Sequence, residues 1–264
     1  MRYLHAGSGP PLLLVHGLMA YSFSWRKTIP VLSERFETFA IDELGTGYSD
    51  RPAALNCTLK ACAQRLLRFM DAVSPNAFDV LATSHGGAVA MMAAALLPER
   101  VRRLVLVAPV NPWAPRGRRL APFLSHALVA PSFVQLATHS GSLRRHYFRR
   151  LWSDPHRIPP GTFEGYMKPL EHAGSWDYGL SILRHWNADL RELKLALPRI
   201  ANIPTLLIWG ERDQAVAPSS AATLKQNFRQ CQLVMMGDIG HLPYEEAPEE
   251  FNHVVAKFLF SDNG

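Results

Sequence analysis

A serine stands at the centre of the sequence ATSHGG, residues 82–87, between an apolar run that begins at Phe78 and a run of small residues. The two runs predict a strand, a sharp turn and a helix. Only small side chains fit around such a turn, because the two backbones nearly touch there. Ser84 would occupy its apex, at a helix N-terminus that favours developing negative charge. Ala82 replaces the glycine of the usual GxSxG pattern, so the motif predicts a nucleophilic serine in a slightly more crowded turn.

A nucleophilic serine needs a base within hydrogen-bond reach and an acid that orients the base. The sequence offers Asp213 directly after one predicted strand and His241 after the last one. The chain order Ser, Asp, His is the order that one hydrolase fold uses. These three residues therefore form a candidate constellation for acyl transfer.

Apolar strands that alternate with helices must position these residues. Such alternation predicts a mostly parallel sheet covered on both faces, with ligand chemistry at the carboxyl ends of its strands. The predicted strands are residues 12–15, 38–41, 78–81, 103–108, 205–209 and 232–235. The predicted helices of the core are residues 24–36, 58–73 with Thr58 as N-cap, 219–228 and 248–260, besides the helix that follows Ser84.

Nearly a hundred residues separate two of these strands, which is too long for a plain loop in a compact domain. Helical patterns around residues 120–129, 143–152 and 178–186 predict a helical cap inserted there. The predicted division is a core of residues 1–110 and 190–264 and a cap of residues 111–189. Aromatic side chains of the cap either line an apolar acyl pocket or attach the cap to the sheet. They are Trp113, Phe123, Phe133, Tyr147, Phe148, Trp152, Phe163, Tyr166, Trp176, Tyr178 and Trp186.

Five short motifs in order carry a family resemblance that covers the chain outside the cap. They are His16-Gly17, DELGTGYS at 42–49, ATSHGG at 82–87, PTLLIWGERD at 204–213 and GHLPYEE at 240–246. On these motifs the chain resembles the α/β-hydrolase fold superfamily, in its serine hydrolase branch with a helical cap. The resemblance implies an α/β fold with a mostly parallel, doubly wound sheet.

The resemblance also implies roles for individual residues. Ser84 would be the nucleophile, His241 the general base and acid, and Asp213 the carboxylate that orients the imidazole. The oxyanion would bind the backbone N–H groups of Leu18 and His85, so only the backbone of these two residues is required. The family uses two such preset donors, and loss of one typically costs about 10²- to 10³-fold in rate.

Two other carboxylates, Glu211 and Asp238, compete with Asp213 for the orienting role. Glu211 comes too early in its turn and Asp238 lies in the histidine's own loop, so both rank below Asp213. The glycines of the 42–49 loop lack the Lys-Ser/Thr ending of a P-loop and the third glycine of a dinucleotide fingerprint. This loop is therefore interpreted as a structural turn, and no cofactor is predicted.

Haloalkane dehalogenases and epoxide hydrolases of this fold have Asp at the apex, where this chain has Ser84. The favoured prediction is therefore hydrolysis of carboxylic esters of small, largely apolar substrates through an acyl-enzyme. Lactone and carbon-carbon (diketone) hydrolysis on the same triad are alternatives. Carbon-carbon hydrolases of the family commonly have Trp directly after the catalytic histidine, where this chain has Leu242, and this difference disfavours the diketone. The alternative stays open because Arg184 of the cap could bind the carboxylate of such a substrate. A non-catalytic ligand-binding protein on a hydrolase scaffold is the alternative of another class.

Composition limits the partners. The three cysteines are too few and too scattered for a disulfide framework or a zinc site, and the histidines lack metal-ligand spacing. No signal peptide is visible, so a cytoplasmic protein is predicted. Residues 113–190 hold nine Arg and one Lys against five acidic residues, a surplus of 10 − 5 = +5. A solvated basic face and no nucleic-acid partner are predicted. Membrane contact through the basic cap is the less favoured alternative, and the oligomeric state stays open.

Overall fold

The computed structural model describes residues 1–118 and 120–261. Within them, seven strands form one sheet in the order β1-β3-β2-β4-β5-β6-β7. The strands are β1 (Tyr3–Ala6), β2 (Pro11–Val15), β3 (Glu37–Ile41), β4 (Phe78–Thr83), β5 (Val101–Val107), β6 (Thr205–Gly210) and β7 (Cys231–Met236). Only β1 pairs antiparallel, at the edge beside β3. The predicted mostly parallel α/β sheet is confirmed, and the carboxyl ends of β2 to β7 share one edge.

The central strands β2, β4 and β6 are buried on both faces of the sheet, which explains why they are largely apolar. Successive residues of β2 alternate between two core clusters: Leu13 packs in one, and Leu12 and Leu14 pack in the other. A strand that contributes to two cores favours apolar residues at successive positions, so the run of leucines follows from a doubly wound sheet.

Helices cover both faces of the sheet. Those of the core are α1 (Ile29–Leu32), α2 (Leu59–Val73), α3 (Ser84–Leu96), α9 (Ala221–Lys225), α10 (Pro243–Glu246) and α11 (Pro248–Phe260). The Thr58 hydroxyl accepts the N–H of Ala61 at 3.3 Å, which confirms the predicted N-cap of α2. The predicted final helix is also confirmed.

The predicted helix over residues 24–36 is wrong. The chain forms a 3₁₀ turn at Ser22–Trp25 and then the short helix α1, in which Pro30 lies in the first turn. Proline inside a continuous helix would remove a backbone hydrogen bond and clash with the preceding turn. The segment therefore starts a new helix at this position.

The segment between β5 and β6 is mainly helical. It contains α4 (Leu120–Leu124), α5 (Ala130–His139), α6 (Gly141–Arg149), α7 (Thr162–Met167) and α8 (Ser175–Ala196). The helix predicted over residues 120–129 ends early at Leu124, and α5 was not predicted. The predicted boundary between cap and core at residue 189 falls inside the continuous helix α8. Leu190 and Leu193, near the C-terminal end of this helix, are buried in the core.

Candidate active site

A strained turn carries Ser84. The strand β4 ends at Thr83, helix α3 begins at the next residue, and Ser84 has a φ of +54°. The start of α3 approaches the end of the neighbouring strand β2 so closely that a Cβ on Gly86 would lie 2.1 Å from the carbonyl oxygen of His16. The predicted strand, turn and helix are therefore present, and Ser84 lies half-buried at the apex.

His241 and Asp213 are brought together at the carboxyl ends of β7 and β6. The imidazole Nδ1 lies 2.7 Å from Asp213 Oδ2, and both side chains are buried. The other carboxylate oxygen accepts the backbone N–H groups of Ala215 at 2.7 Å and Val216 at 2.9 Å. A carboxylate held in this way accepts the Nδ1 proton and leaves the lone pair of His241 Nε2 free to act as a base.

The other two acidic candidates lie away from the imidazole. Asp238 forms an exposed ion pair with Arg212, and Glu211 is exposed to solvent. Of the three predicted acids, the structure brings Asp213 to His241. Within residues 1–118 and 120–261, Ser84 Oγ has no hydrogen-bond partner, so the contact between nucleophile and base stays a prediction.

The loop after β2 lies directly beside Ser84. A Cβ on Gly17 would lie 3.0 Å from Ser84 Cβ and 3.6 Å from its Oγ, so the Gly17–Leu18 peptide adjoins the nucleophile. The N–H of His85 lies in the first turn of α3, where backbone donors have no acceptor inside the helix. Both predicted oxyanion donors, Leu18 and His85, therefore belong to segments that meet at Ser84.

A buried histidine holds the Gly17–Leu18 peptide. His16 Nε2 accepts the backbone N–H of Glu43 at 3.1 Å, so the ring proton resides on Nδ1, which donates to Gly17 O at 2.8 Å. That carbonyl belongs to the same peptide as the Leu18 N–H. His16 therefore orients a predicted oxyanion donor. Sequence analysis singled out the His16-Gly17 pair only as a motif, and its position at the end of β2 was the available signal.

The cap helix α8 covers the loops that follow β2 and β3. The Tyr178 hydroxyl donates to the buried Glu43 carboxylate at 2.8 Å, and burial raises the pKa of Tyr178 well above its usual range. Leu18 packs in a small apolar cluster with Tyr178, Ile182 and Trp186. The loop after β2 that carries Leu18, called the oxyanion loop below, therefore shares a buried, largely apolar contact with the cap.

The side chain of His85 faces the cap. Its ring stacks on Trp186 at 6.3 Å between centroids, and burial lowers its pKa, so the ring is neutral. Both residues line a narrow cleft with Leu59 and Asp189. A surface depression of about 550 Å³ between α1 and α11 contains none of the predicted site residues.

The aromatic side chains of the cap occupy different environments. Phe148, Trp152 and Tyr166 are buried in a core cluster and attach the cap to the sheet domain. Phe123 and Tyr147 are exposed. Attachment of the cap to the sheet domain therefore describes Phe148, Trp152 and Tyr166, whereas Tyr178 and Trp186 pack beside Leu18.

Metal-binding clusters and membrane-spanning helices are absent from the part of the chain that the structure describes. No group of three or more His, Cys, Asp or Glu side chains there could hold a metal ion. No described helix is long and apolar enough to cross a bilayer.

A family model described as alpha/beta hydrolase fold matches residues 10–248. The chain belongs to this family of hydrolases. Haloalkane dehalogenase 2 of Mycobacterium tuberculosis (strain ATCC 25618 / H37Rv) is 28% identical over 257 residues, which cover 94% of this chain and 87% of the relative. The 2-hydroxymuconate semialdehyde hydrolase of Pseudomonas sp. (strain CF600) is 27% identical over 258 residues, 96% of this chain and 88% of the relative. Lipase 3 of Moraxella sp. (strain TA144) is 27% identical over 248 residues, which cover 92% of this chain and 75% of the relative.

These relatives have almost equal identity to the chain, and their names describe three different reactions. Family membership therefore supports hydrolysis in general. The choice among substrates depends on the residues of the site itself.

Proposed function

We propose that this protein is a serine hydrolase that cleaves carboxylic esters of small, largely apolar substrates. The observation that carries the proposal is the 2.7 Å contact between His241 Nδ1 and Asp213 Oδ2, at the same sheet edge as Ser84. The contact leaves Nε2 free as a base, and the strained apex makes Ser84 the accompanying nucleophile.

In the proposed reaction, Ser84 Oγ attacks the ester carbonyl while His241 Nε2 accepts the hydroxyl proton. The negative charge that forms on the carbonyl oxygen binds the N–H groups of Leu18 and His85. The tetrahedral intermediate collapses, the C–O bond to the alcohol breaks, and the imidazolium protonates the leaving alcohol. A water molecule then attacks the acyl-enzyme while His241 accepts its proton. The bond between the acyl carbon and Ser84 Oγ breaks, the imidazolium returns the proton to Oγ, and the acid is released.

The environment of the oxyanion loop supports an apolar substrate. Leu18 packs with Ile182 and Trp186 of the cap, and the His85 ring beside them is neutral. A neutral ester gains affinity from burial of its apolar surface in such surroundings, whereas burial of a charged group against these apolar side chains would cost its hydration.

Carbon-carbon bond hydrolysis is the second candidate, and the likeness to 2-hydroxymuconate semialdehyde hydrolase favours it. Leu242 follows His241 where such enzymes of the fold commonly have Trp, and Arg184 is exposed on α8. Both observations favour the ester over the diketone. Serine at the apex likewise argues against dehalogenation, in spite of the 28% identity to a dehalogenase.

Covalent labelling tests the proposal. A fluorophosphonate probe should modify Ser84 in the wild type, as located by peptide mass mapping, and should not label Ser84→Ala or His241→Ala. Ser132→Ala, which changes an exposed serine, is the matched control and should be labelled like the wild type.

Substrate panels then separate the candidates. Short 4-nitrophenyl acyl esters, a lactone and a ring-cleavage diketone would be compared for wild type and Ser84→Ala. Preferential turnover of the esters by the wild type alone is expected. Equal ester hydrolysis by both proteins would refute the mechanism. Tight binding of a ligand that is recovered unchanged would support a receptor instead.

A further inference from the structure

The net positive charge of the cap lies in its first half. Residues 111–150 contain seven Arg and three His residues, with no Asp or Glu. All acidic residues of the cap come later, at Asp154, Glu164, Glu171, Asp177 and Asp189. Helices α4, α5 and α6 therefore carry no acidic side chain of their own. Their Arg residues lie on α6, where Arg145 pairs with Glu164 of α7 at 3.4 Å.

The same stretch exposes large apolar side chains. Six such side chains are more than half exposed in the described residues, and five of them lie between residues 120 and 147. They are Leu120 at 53%, Phe123 at 61%, Leu128 at 84%, Leu136 at 56% and Tyr147 at 56%. The sixth, Leu195, lies at the far end of α8. Scattered exposure would place these residues throughout the chain, so their concentration indicates an interaction surface.

The helices concerned are anchored on one side and exposed on the other. In α6, Phe148 is buried and packs on Tyr166 with 5.4 Å between ring centroids. Its neighbours Tyr147, Arg149 and Arg150 are exposed. The outward residues thus combine an aromatic ring with two guanidinium groups on a helix that the core holds in place.

We propose that this surface docks on an anionic phospholipid bilayer. The cap outer surface is defined here as Leu120, Phe123, Leu128, Leu136, Tyr147, Arg149 and Arg150. Guanidinium groups are attracted to anionic headgroups, and apolar side chains beside them insert into the boundary between headgroups and acyl chains. The absence of carboxylates from residues 111–150 matches a uniformly negative partner, which a bilayer with acidic lipids presents. The proposal concerns binding alone and does not rest on ester hydrolysis.

Vesicle co-flotation tests the proposal with the full chain. Vesicles of phosphatidylcholine alone are compared with vesicles that also contain phosphatidylglycerol. The wild type should bind the mixed vesicles, bind phosphatidylcholine much more weakly, and dissociate as salt is added. Phe123→Ser combined with Leu128→Ser should weaken binding about a hundredfold, because each apolar side chain contributes about tenfold.

A second double variant tests the charge. Arg149→Gln with Arg150→Gln should weaken binding roughly 25-fold, since each Arg at the surface contributes about fivefold. Leu195→Ser removes an equally exposed leucine elsewhere and should leave binding unchanged. Circular dichroism and thermal unfolding verify that all variants are folded.

Three results would overturn the proposal. One is failure of the wild type to bind the acidic vesicles. Another is equal weakening by Leu195→Ser. The third is a wild-type dimer in analytical ultracentrifugation that becomes a monomer on substitution of Phe123 and Leu128, because a second copy would then cover the surface. Labelling of Ser84 is measured separately, so failure of docking leaves the proposed function untouched.

Discussion

The hydroxyl of Tyr178 donates to the buried carboxylate of Glu43 at 2.8 Å and so joins the cap helix α8 to the loop after β3. The backbone N–H of Glu43 in turn holds His16, whose Nδ1 donates to the carbonyl of the Gly17–Leu18 peptide. A side chain of the cap is thereby connected through three hydrogen bonds to a predicted oxyanion donor. Cap docking and site geometry depend on each other in this arrangement.

Removal of the Tyr178 hydroxyl should therefore affect both stability and turnover. Tyr178→Phe leaves the Glu43 carboxylate without this buried partner, and we expect a loss of about 1–3 kcal/mol in the free energy of unfolding, measured in urea. The kcat for a 4-nitrophenyl ester should fall about tenfold, less than complete loss of an oxyanion donor would cause. Tyr147→Phe makes the same change at an exposed position and should alter stability by less than about 0.5 kcal/mol. Equal behaviour of the two variants would contradict the connection.

The carboxylate of Asp213 is expected to set the tautomer of His241. In Asp213→Asn the amide can donate to Nδ1, which moves the imidazole proton to Nε2 and removes the base. The kcat for ester hydrolysis should fall about 10⁴-fold with little change in fold. Asp238→Asn is the matched control, because Asp238 is exposed and pairs only with Arg212 among the described residues. Comparable losses in both variants would reopen the assignment of the acid.

Gly86→Ala should disrupt the turn that carries Ser84. The added Cβ would lie 2.1 Å from the backbone oxygen of His16, and backbone on both sides must move. We expect a loss of stability of about 3 kcal/mol, together with weak fluorophosphonate labelling. At Gly237 an added Cβ meets no described atom within 4 Å, so Gly237→Ala should have neither effect. A fully labelled and stable Gly86→Ala protein would refute the close approach.

Asp189 should make stability depend on pH. Burial raises its pKa to about 6, against the opposing effects of the Leu59 N–H and of His185. The unfolded state therefore loses this proton at lower pH than the folded state. The contribution of the Asp189 carboxyl group to the free energy of unfolding is therefore fully present below about pH 4. This contribution is lost as the pH rises to about 6 and the buried carboxyl group ionises.

Asp189→Asn keeps a neutral side chain at every pH. The variant should match the wild type near pH 4 and exceed it by about 1–3 kcal/mol at pH 7, from a shift of roughly two pKa units. Urea unfolding at several pH values provides the measurement. A constant difference between the two proteins across this range would show that Asp189 titrates normally.

Much of the fold was predictable from local patterns. Buried strands such as Leu12–Val15 are continuously apolar because both faces of the sheet are covered, and the small residues around Ser84 are required by the close approach of strand and helix. Since parallel strands end at one edge, the motifs that follow them were expected to meet there.

Other features followed from contacts that sequence patterns do not encode. Local spacing ranked Asp213, Glu211 and Asp238, but the partner of His241 depends on how two loops pack. The predicted helix over residues 24–36 failed because the hydrophobic period continued through a break near Pro30. The basic segment of the cap has the composition of a solvated face, and composition alone cannot tell that Leu128 within it is exposed.

The sequence alone therefore determined the family, the parallel sheet and the identity of the residues at its carboxyl edge, because these depend on residue type and on spacing within short stretches. Only the tertiary structure decided that Glu43 bonds to Tyr178, 135 residues away, and that Phe123 and Leu128 face outward. Such pairings and exposures depend on how distant segments pack, and the free energy of that packing is shared among many contacts rather than encoded in any one motif.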